Sequence, residues 1–426
     1  MNRQETSRRN FLRTALTASG MLLADGPLGL VARAGERGLP RDLALNATRR
    51  LVLEGRQFAP VKVARNRIIR TVVGLRPYRD EGFVVDAERL GEKLLVHNYG
   101  HGGAGVTLSW GTSSLAVDIA RDFLQTGTVP QAVPNGARPQ SRRGGILTPR
   151  RRPARRSPTR FAVLGCGVMG LSTARLLQRR LQGEGGVVTI YAKDIPPHTT
   201  SNIAGALWSP TSLYDPQVAS TKFVEQFRLV CLISNRAFQE LVGPKYGVRW
   251  IDTFEFFRNE AALDREPTGG ASLYPQIEIH RDPKQYFGFP YARQFSTMLI
   301  EPHTYLRALL RDFYVAGGKI VVKEFKKREE LARLSETVVF NCTGLGARDL
   351  FNDQKLGPVR GQLEILLPQP EIDYSYLSGR GYMFPRRDGI ILGGTFDHDD
   401  WSLEPKAEQT TGILEGHAGI MRGLRK

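Results

Sequence analysis

A glycine-rich run at residues 165–170, with the sequence GCGVMG, limits the fold of this chain more than any other feature. It follows an apolar segment, 161–164, that is typical of a buried strand, and it precedes a helical pattern from Met169 to about Leu181. A second apolar, β-branched segment lies at 187–191. Strands joined in this way by a helix form the βαβ unit, so the sequence predicts an α/β fold around this turn.

The spacing G-x-G-x-x-G is typical of a Rossmann-like unit that binds a dinucleotide. The first glycine permits a tight turn, the second lets a pyrophosphate approach the backbone, and the third allows the helix to pack closely on the strand. The helix N-terminus then faces the phosphates. The predicted cofactor-binding residues of the turn are Gly165, Gly167, Val168, Met169 and Gly170.

An acidic side chain about 20 residues after such a turn usually binds the ribose. The end of the second strand reads YAKD, so Asp194 is the candidate carboxylate. A solvated aspartate at the end of a strand is the alternative. The turn by itself does not separate FAD from NAD.

The formal net charge of +18 raises the question of nucleic-acid binding. Residues 138–160 carry nine arginines and no acidic residue, and residues 1–34 carry a net +3. These segments supply +12 of the +18, so the remainder is only mildly basic. Aromatic side chains do not alternate with the arginines as they do on single-strand binding surfaces. A basic, disordered linker over residues 124–158 is favoured over a nucleic-acid site, and no specific nucleic-acid partner is expected.

Residues 1–34 have the organisation of an export signal. Arg8 and Arg9 precede a moderately apolar stretch, 14–31, which ends in small residues suited to cleavage. Paired arginines indicate the twin-arginine route, so a protein exported in its folded state is expected. An ordinary basic helix is the alternative, and without a functional signal the protein is expected in the cytoplasm. After residue 34 the chain has no run of 18 apolar residues, so no membrane span is predicted in the mature protein.

The linker divides the rest of the chain into a short block, 45–123, and a long block, 159–426. Three cysteines, Cys166, Cys231 and Cys342, are too widely spaced to predict a metal site or a disulfide framework, although a single disulfide stays open. Further strands are predicted at 248–257, 319–323, 337–340 and 390–392, and helices at 221–241 and 304–316.

Hydroxyl side chains and small residues cluster in the segment 197–210, ahead of Trp208. Such residues suit the surroundings of a phosphate chain and a flat ring, although a polar loop is the alternative. With the turn included, residues 161–210 resemble the FAD-binding block of the D-amino-acid oxidase family nearly residue by residue. The resemblance implies FAD as the cofactor.

The resemblance also implies roles for individual residues of this block. It assigns phosphate contacts to the hydroxyl side chains and contact with the flavin's reactive edge to the backbone that follows them. The usual ribose-binding acid of the family falls at Lys193, so Asp194 would have to replace it. The residues assigned in this way are Thr199, Thr200, Ser201, Ala206 and Leu207.

The long block continues in the order of the family. Similar runs are EPHTYL at 301–306, NCTGLG at 341–346, RGQ at 360–362, GYMFPR at 381–386 and GGT at 393–395. By resemblance, Gly344 and Leu345 close over the adenosine half of FAD. The family's last segment does not follow these runs.

That last segment is similar to runs near the start of the chain, VGLRPYR at 73–79 and VHNYGHGGAGVT at 96–107. We therefore interpret the chain as a circular permutation of the family order, with the linker spanning the old chain ends. A truncated or mis-spliced product is the alternative. By resemblance, the second run binds FAD through Gly102, Gly103, Ala104, Gly105, Val106 and Thr107.

The substrate end of the predicted site depends on Arg76, which lies between Leu75 and Pro77 and offers a fork that fits a carboxylate. By resemblance, Arg76 and Tyr382 bind the substrate carboxylate and the carbonyl of Gly103 accepts from its amine. A structural salt bridge and a core tyrosine are the alternatives.

The second active-site tyrosine of the family falls at Ser378, so Tyr374 or Tyr376 stays open as its replacement. A structural role is favoured over acid–base catalysis for His97 and His101.

The sequence thus predicts a Rossmann-like FAD-binding domain with an interleaved, mixed-sheet α+β substrate domain. The resemblance implies oxidative deamination of a D-amino acid with O2, which gives a 2-oxo acid, ammonia and hydrogen peroxide. The alternatives are a D-aspartate or glycine/sarcosine-type oxidase, and an exported flavin dehydrogenase that passes electrons to a partner. A homodimer stays open.

Overall fold

The computed structural model describes residues 58–130, 159–180, 186–281, 288–379 and 381–424. The predicted export signal, the first part of the short block and residues 131–158 of the predicted linker lie outside the described residues. From Ala59 onward the chain belongs to one structural unit.

Fifteen strands occur in the described residues: β1 Ile68–Tyr78, β2 Val84–Leu90, β3 Lys93–Tyr99, β4 Arg160–Leu164, β5 Val187–Ala192, β6 Val248–Phe257, β7 Glu278–Arg281, β8 Tyr291–Ile300, β9 Lys319–Val322, β10 Val338–Asn341, β11 Gly357–Leu366, β12 Tyr374–Ser378, β13 Gly381–Arg386, β14 Gly389–Gly393 and β15 Asp397–His398. The α-helices there are α1 Gly105–Thr126, α2 Val168–Arg180, α3 Thr200–Ile203, α4 Thr221–Glu240, α5 Pro302–Val315, α6 Glu329–Ala332, α7 Gly346–Leu350 and α8 Ala407–Gly423.

Six strands form a sheet in the order β2-β3-β10-β4-β5-β9. All neighbours in it are parallel except β2 and β3. Its central strand β4 is buried from Phe161 to Leu164, because helices α1 and α2 cover one face and the segment around α6 and α7 covers the other. A parallel sheet covered on both faces is the arrangement expected of a Rossmann-like domain.

The second sheet has the strand order β1-β11-β14-β13-β12-β6-β8-β7, and β15 adds to β11. Its pairs are antiparallel except that β12 and β6 run parallel. One face carries an apolar cluster that includes Leu207 and Ile203 from the segment after β5. Helix α8 packs on the opposite face, against β11, β13 and β14. The prediction of a mixed-sheet substrate domain beside the Rossmann-like domain is confirmed.

The short block is not separate from the long block. Its strand β1 joins the larger sheet, while β2 and β3 join the parallel sheet beside β10. Helix α1 packs on α4 so closely that a Cβ at Gly111 would lie 2.2 Å from the carbonyl oxygen of Val230. Helix α1 continues to Thr126, so residues 124–126 are helical and the predicted start of the linker at residue 124 was wrong by a few residues.

Several predicted elements agree closely with the structure. Strand β6 has the predicted bounds, and β9, β10, β14, α2, α4 and α5 differ from the predictions by one or two residues at their ends. Over the described residues, no helix combines the length and apolar character needed to cross a membrane.

Candidate functional site

The dinucleotide turn connects β4 to α2 and depends on glycine at two positions. Gly165 has a φ of +102°, and a Cβ on it would lie 2.4 Å from the carbonyl oxygen of Cys342. A Cβ on Gly170 would lie 1.9 Å from the carbonyl oxygen of Gly165. Both clashes are with backbone, which cannot rotate away as a side chain can. The helix therefore begins directly against the strand and presents its N-terminus at the edge of the sheet.

Ser201 lies at this helix N-terminus. Its Oγ accepts a 3.0 Å hydrogen bond from the amide of Val168 and would lie 3.1 Å from a Cβ on Gly167. Thr199 precedes α3 and donates to Asn202, while Thr200 is exposed. The structure thus brings Ser201 directly to the turn, with Thr199 and Thr200 on the adjoining segment, where phosphates of a dinucleotide would be bound.

The segment that follows α3 is attached to β8. Ala206, whose φ is 64°, accepts from the amide of Ile300 at 2.9 Å, and Trp208 donates to Met298 at 2.7 Å. Leu207 accepts a 3.4 Å hydrogen bond from the hydroxyl of Thr107. Ala206 and Leu207, the predicted flavin-contacting residues, lie in the segment 204–207, which we call the flavin-backing segment. This segment therefore meets the glycine-rich loop of the short block.

That loop precedes and begins α1. Gly103 donates to the carbonyl of Ser212 at 2.8 Å, and a Cβ on Gly102 would lie 2.4 Å from the same oxygen. Ala104 and Val106 are buried, and the Cβ position of Gly105 lies 3.9 Å from Cε of Met169 in the dinucleotide turn. Residues 102–107 thus lie between the turn and the segment 207–212, as a common site requires.

The adenosine end is less enclosed. Asp194 is exposed directly after β5, and Gly344 and Leu345 are partly exposed after β10. The side chain of Asn341 shapes this second loop by accepting from the backbone amide of Thr343 at 3.2 Å. Whether Asp194 replaces the usual ribose-binding acid stays a prediction.

The two histidines of the HNYGH run have structural contacts. His97 accepts from Asn341 at 3.1 Å and donates to Glu88 at 3.1 Å, and this second bond lowers the pKa of Glu88. His101 is buried and contacts Thr112, and burial lowers its pKa to about 3. A neutral, enclosed His101 cannot serve as a base towards substrate, which favours the structural interpretation.

Arg76 and Tyr382 project from the same face of the larger sheet. Arg76 pairs with Val359 on β11, Leu363 on β11 pairs with Gly393, and Gly393 pairs with Tyr382. Paired residues share a face, as do alternate residues of a strand. This face also contacts Ile203 and Leu207, so it looks towards the predicted flavin-backing segment.

Glycines leave room for both side chains. A Cβ on Gly361 would lie 2.3 Å from both terminal nitrogens of Arg76, and a Cβ on Gly393 would lie 2.2 Å from the ring of Tyr382. Arg76 donates to the carbonyl of Thr395 at 3.2 Å. In the part of the chain that the structure describes, Arg76 makes no ion pair with a carboxylate, so most of its N–H donors stay available.

The structure rules out both replacements for the second tyrosine. Tyr376 pairs with Met383, so it points to the face opposite Tyr382, where its hydroxyl contacts His417. Tyr374 lies on that same face and donates to Ala59. Ser378 instead bonds Gly381 at 3.0 Å. Sequence spacing could not reveal this, because the face of a residue depends on the register of the strand.

Sequence reasoning also missed an aromatic cluster beside Arg76. The guanidinium lies 5.5 Å from the ring centre of Phe396, which contacts Tyr78 and His398 edge-on. Tyr78 follows Arg76 by two residues on the same strand and therefore lies on the same face. This spacing is the sequence signal that could have predicted an aromatic ring near Arg76. These rings support one side of the guanidinium.

All three cysteines are free and buried. Within the described ranges, no group of three acidic, histidine or cysteine side chains could hold a metal ion.

The family model described as FAD dependent oxidoreductase (DAO) matches residues 15–119 and 160–425. The chain belongs to this family of FAD-dependent oxidoreductases. The chain is 31% identical to a D-amino acid oxidase of Dugesia ryukyuensis over an alignment of 271 residues. This alignment covers 62% of the chain and 79% of the relative. It is also 31% identical to the D-aspartate oxidase of Homo sapiens over 262 residues, with coverage of 60% and 74%.

Among solved structures, this oxidoreductase resembles the glycine oxidase of Bacillus cereus ATCC 14579, with a TM-score of 0.48 and 18% identity over 63% of this chain and 79% of that one. It also resembles the L-proline dehydrogenase of P. horikoshii, with a TM-score of 0.48 and 15% identity over 63% and 78%.

FAD is the cofactor of this enzyme family, and the residues present fit it. The backbone around Gly165 and Gly170 leaves no room for side chains, and the hydroxyl of Ser201 lies at the helix N-terminus, on the amide of Val168. The loop 102–107 and the segment 204–207 meet beside this turn. Together these segments would hold the phosphates and the flavin of one FAD molecule.

Proposed function

We propose that the enzyme oxidises D-amino acids. The products are a 2-oxo acid, ammonia and hydrogen peroxide, formed from the amino acid, O2 and water. The observation that carries the proposal is Arg76, whose guanidinium has no ion pair among the described residues. It projects from the same face of the larger sheet as Tyr382, the face that also contacts Ile203 and Leu207. The D-amino acid oxidase and D-aspartate oxidase relatives at 31% identity support the same substrate class.

Each residue has a separate task in this proposal. Arg76 binds both oxygens of the substrate carboxylate, since its planar fork matches their geometry. Tyr382 donates its hydroxyl to the same carboxylate, and the carbonyl of Gly103 accepts from the substrate amine. FAD held at this site would supply the redox chemistry, as the acceptor of a hydride from the α-carbon and the donor of electrons to O2. The protein therefore supplies alignment, and no side chain has to remove the α-proton.

A D-aspartate oxidase would need a second cation near Arg76, and the arginine on the neighbouring strand does not supply it. The nearby Arg360 pairs with Leu75, so it points to the opposite face of the sheet. There it is fully buried and bonds Asp397 and Asp400. A second cation for the side-chain carboxylate of D-aspartate is therefore not supplied by Arg360.

A panel of amino acids tests the proposal. We expect neutral D-amino acids to reduce the bound flavin without oxygen and to release peroxide in air. Their L-isomers should react at least tenfold more slowly, because the opposite configuration moves the α-hydrogen away from the flavin. Flavin absorbance and a peroxide assay measure the two steps. Preference for D-aspartate, or for glycine and sarcosine, would replace the proposed substrate. Flavin reduction without peroxide would indicate a dehydrogenase.

We also propose that the family order is circularly permuted in this chain. The family match falls in two segments separated at 120–159, a break that nearly coincides with the predicted linker. The end of the long block lies beside the start of the short block, since the amide of Val61 contacts Sδ of Met421 at 3.2 Å and Arg65 donates to Thr411 at 2.9 Å. Both contacts support a former peptide connection between residue 424 and residue 58.

Restoring the proposed original order tests the permutation. A chain with residues 159–424 placed before residues 58–130 should fold and bind FAD with a Kd within a few-fold of the natural chain, because every described contact can form. Opening the chain inside α4 is the matched control and should abolish folding. An insoluble or flavin-free product of the first rearrangement would contradict the proposal.

Export by the twin-arginine route is also our proposal, supported by Arg8 and Arg9 ahead of the apolar stretch. A protein that carries a large cofactor benefits from a route for folded proteins. Replacing both arginines by lysine should retain most of the enzyme in the cytoplasm with its flavin bound. Cell fractionation measures this, and unchanged export would exclude the route.

A further inference from the structure

One face of β13 contacts the flavin-backing segment through alternate residues. Tyr382 and Phe384 stack with their ring centres 4.7 Å apart. A Cβ on Gly205 would lie 2.9 Å from the ring of Phe384 and 3.2 Å from that of Tyr382. The backbone of Gly205 therefore packs directly on the two rings. Arg386 is the next residue on this face.

Arg386 makes the polar contact in this series. Its Nη1 donates to the carbonyl of Ala204 at 2.8 Å, one residue before Gly205. Its other nitrogens donate to both oxygens of Asp388, from Nε at 2.8 Å and from Nη2 at 2.7 Å. Only 2% of the Arg386 side chain is exposed. The guanidinium is thus held in a single orientation with one N–H group directed at the backing segment.

The surroundings of Asp388 explain why the positive charge of the buried Arg386 is tolerated. Burial raises the pKa of Asp388, but the hydrogen bonds and charge of Arg386, together with the charge of Arg70, outweigh burial and lower the pKa. Arg70 contacts Asp388 at 3.1 Å from the exposed side and does not reach the backing segment. Two arginines therefore share one carboxylate, and only Arg386 connects it to Ala204.

We propose that Arg386 is a positioning residue that aligns the flavin-backing segment 204–207 with the substrate-facing side of β13. The segment turns at Ala206, so a fixed carbonyl at Ala204 determines where the following backbone lies against the flavin ring. The same strand presents Tyr382, so Arg386 sets the distance between flavin and substrate carboxylate. The inferred distance between flavin and substrate carboxylate rests on the proposed function, whereas the contact of Arg386 with Ala204 of the flavin-backing segment does not.

The test compares Arg386→Lys and Asp388→Asn with Arg70→Ala as the matched control. Lysine keeps the charge but cannot bond Ala204 and both oxygens of Asp388 together. We expect the FAD Kd of Arg386→Lys to rise about tenfold and the circular dichroism of its flavin bands to change. We expect kcat to fall about tenfold, with KM within twofold because Arg76 is intact. Asp388→Asn should change the same quantities less, and Arg70→Ala should match the natural protein.

A folded Arg386→Lys with natural FAD Kd and natural flavin circular dichroism would overturn the proposal, even if its Tm were lower. If Arg386→Lys does not fold, the same two readouts on Asp388→Asn decide. Neither readout requires turnover. Failure of D-amino acids to reduce the natural enzyme would therefore contradict the proposed function without deciding the role of Arg386.

Discussion

Replacing Arg76 by alanine is expected to lower kcat/KM for neutral D-amino acids by roughly a hundredfold to several thousandfold. The substrate carboxylate would enter a partly enclosed site without its bidentate partner, which costs on the order of 3–5 kcal/mol. Arg76→Lys should recover only part of the loss, because one ammonium cannot reproduce the fork. Steady-state peroxide release measures the effect.

The folded protein should tolerate this change. Arg76 makes one described side-chain hydrogen bond, to Thr395, and the Arg70→Ala control removes the same kind of side chain from the exposed start of the same strand. FAD content and Tm should stay near natural values in both variants. Loss of flavin or of folding in Arg76→Ala would mean that the residue is structural and that the substrate site is assigned wrongly.

Gly361→Ala offers a second route to the same question. The added methyl group would lie 2.3 Å from the terminal nitrogens of Arg76 and would displace the guanidinium without removing it. We expect kcat/KM to fall in this variant as well, by a smaller factor than in Arg76→Ala.

Replacing Gly170 by alanine is expected to weaken FAD binding by about thirtyfold to 150-fold. The new Cβ would lie 1.9 Å from the carbonyl oxygen of Gly165, so α2 must move away from β4 and its N-terminus away from the phosphates. Overpacking of this kind costs about 2–3 kcal/mol, and each 1.4 kcal/mol corresponds to tenfold in Kd. Fluorescence titration of the apoprotein with FAD measures the change.

Gly412→Ala is the matched control for this substitution. Gly412 lies inside α8, and apart from the helix's own backbone and the adjacent residues no atom lies within 4 Å of its Cβ position. Alanine is the better helix former, so Tm should stay equal or rise slightly while FAD binding is unchanged. Natural FAD affinity in Gly170→Ala would show that the turn does not bind the phosphates.

The first half of the Rossmann-like domain could be predicted well because its signals are local. The strand β4, the turn and helix α2 are contiguous, and each glycine has a steric reason that residues nearby impose. Strand β6 and helix α4 were equally clear from their own periodicity. Helix α1 was not predicted as a helix, because its buried Ser, Thr and Gly residues hide the apolar pattern that usually marks one.

The sequence by itself therefore determined the turn, the candidate residues and the family that they indicate, since these depend on short runs of backbone and side-chain chemistry. Tertiary structure alone decided which candidates meet. Arg76 contacts Thr395, 319 residues away, and Arg386 contacts Ala204, 182 residues away. Both contacts depend on strand register across the larger sheet, which also turned Tyr374 and Tyr376 away from the site. A shift of one residue reverses the face of every side chain on a strand, and no local pattern in this chain specifies that shift.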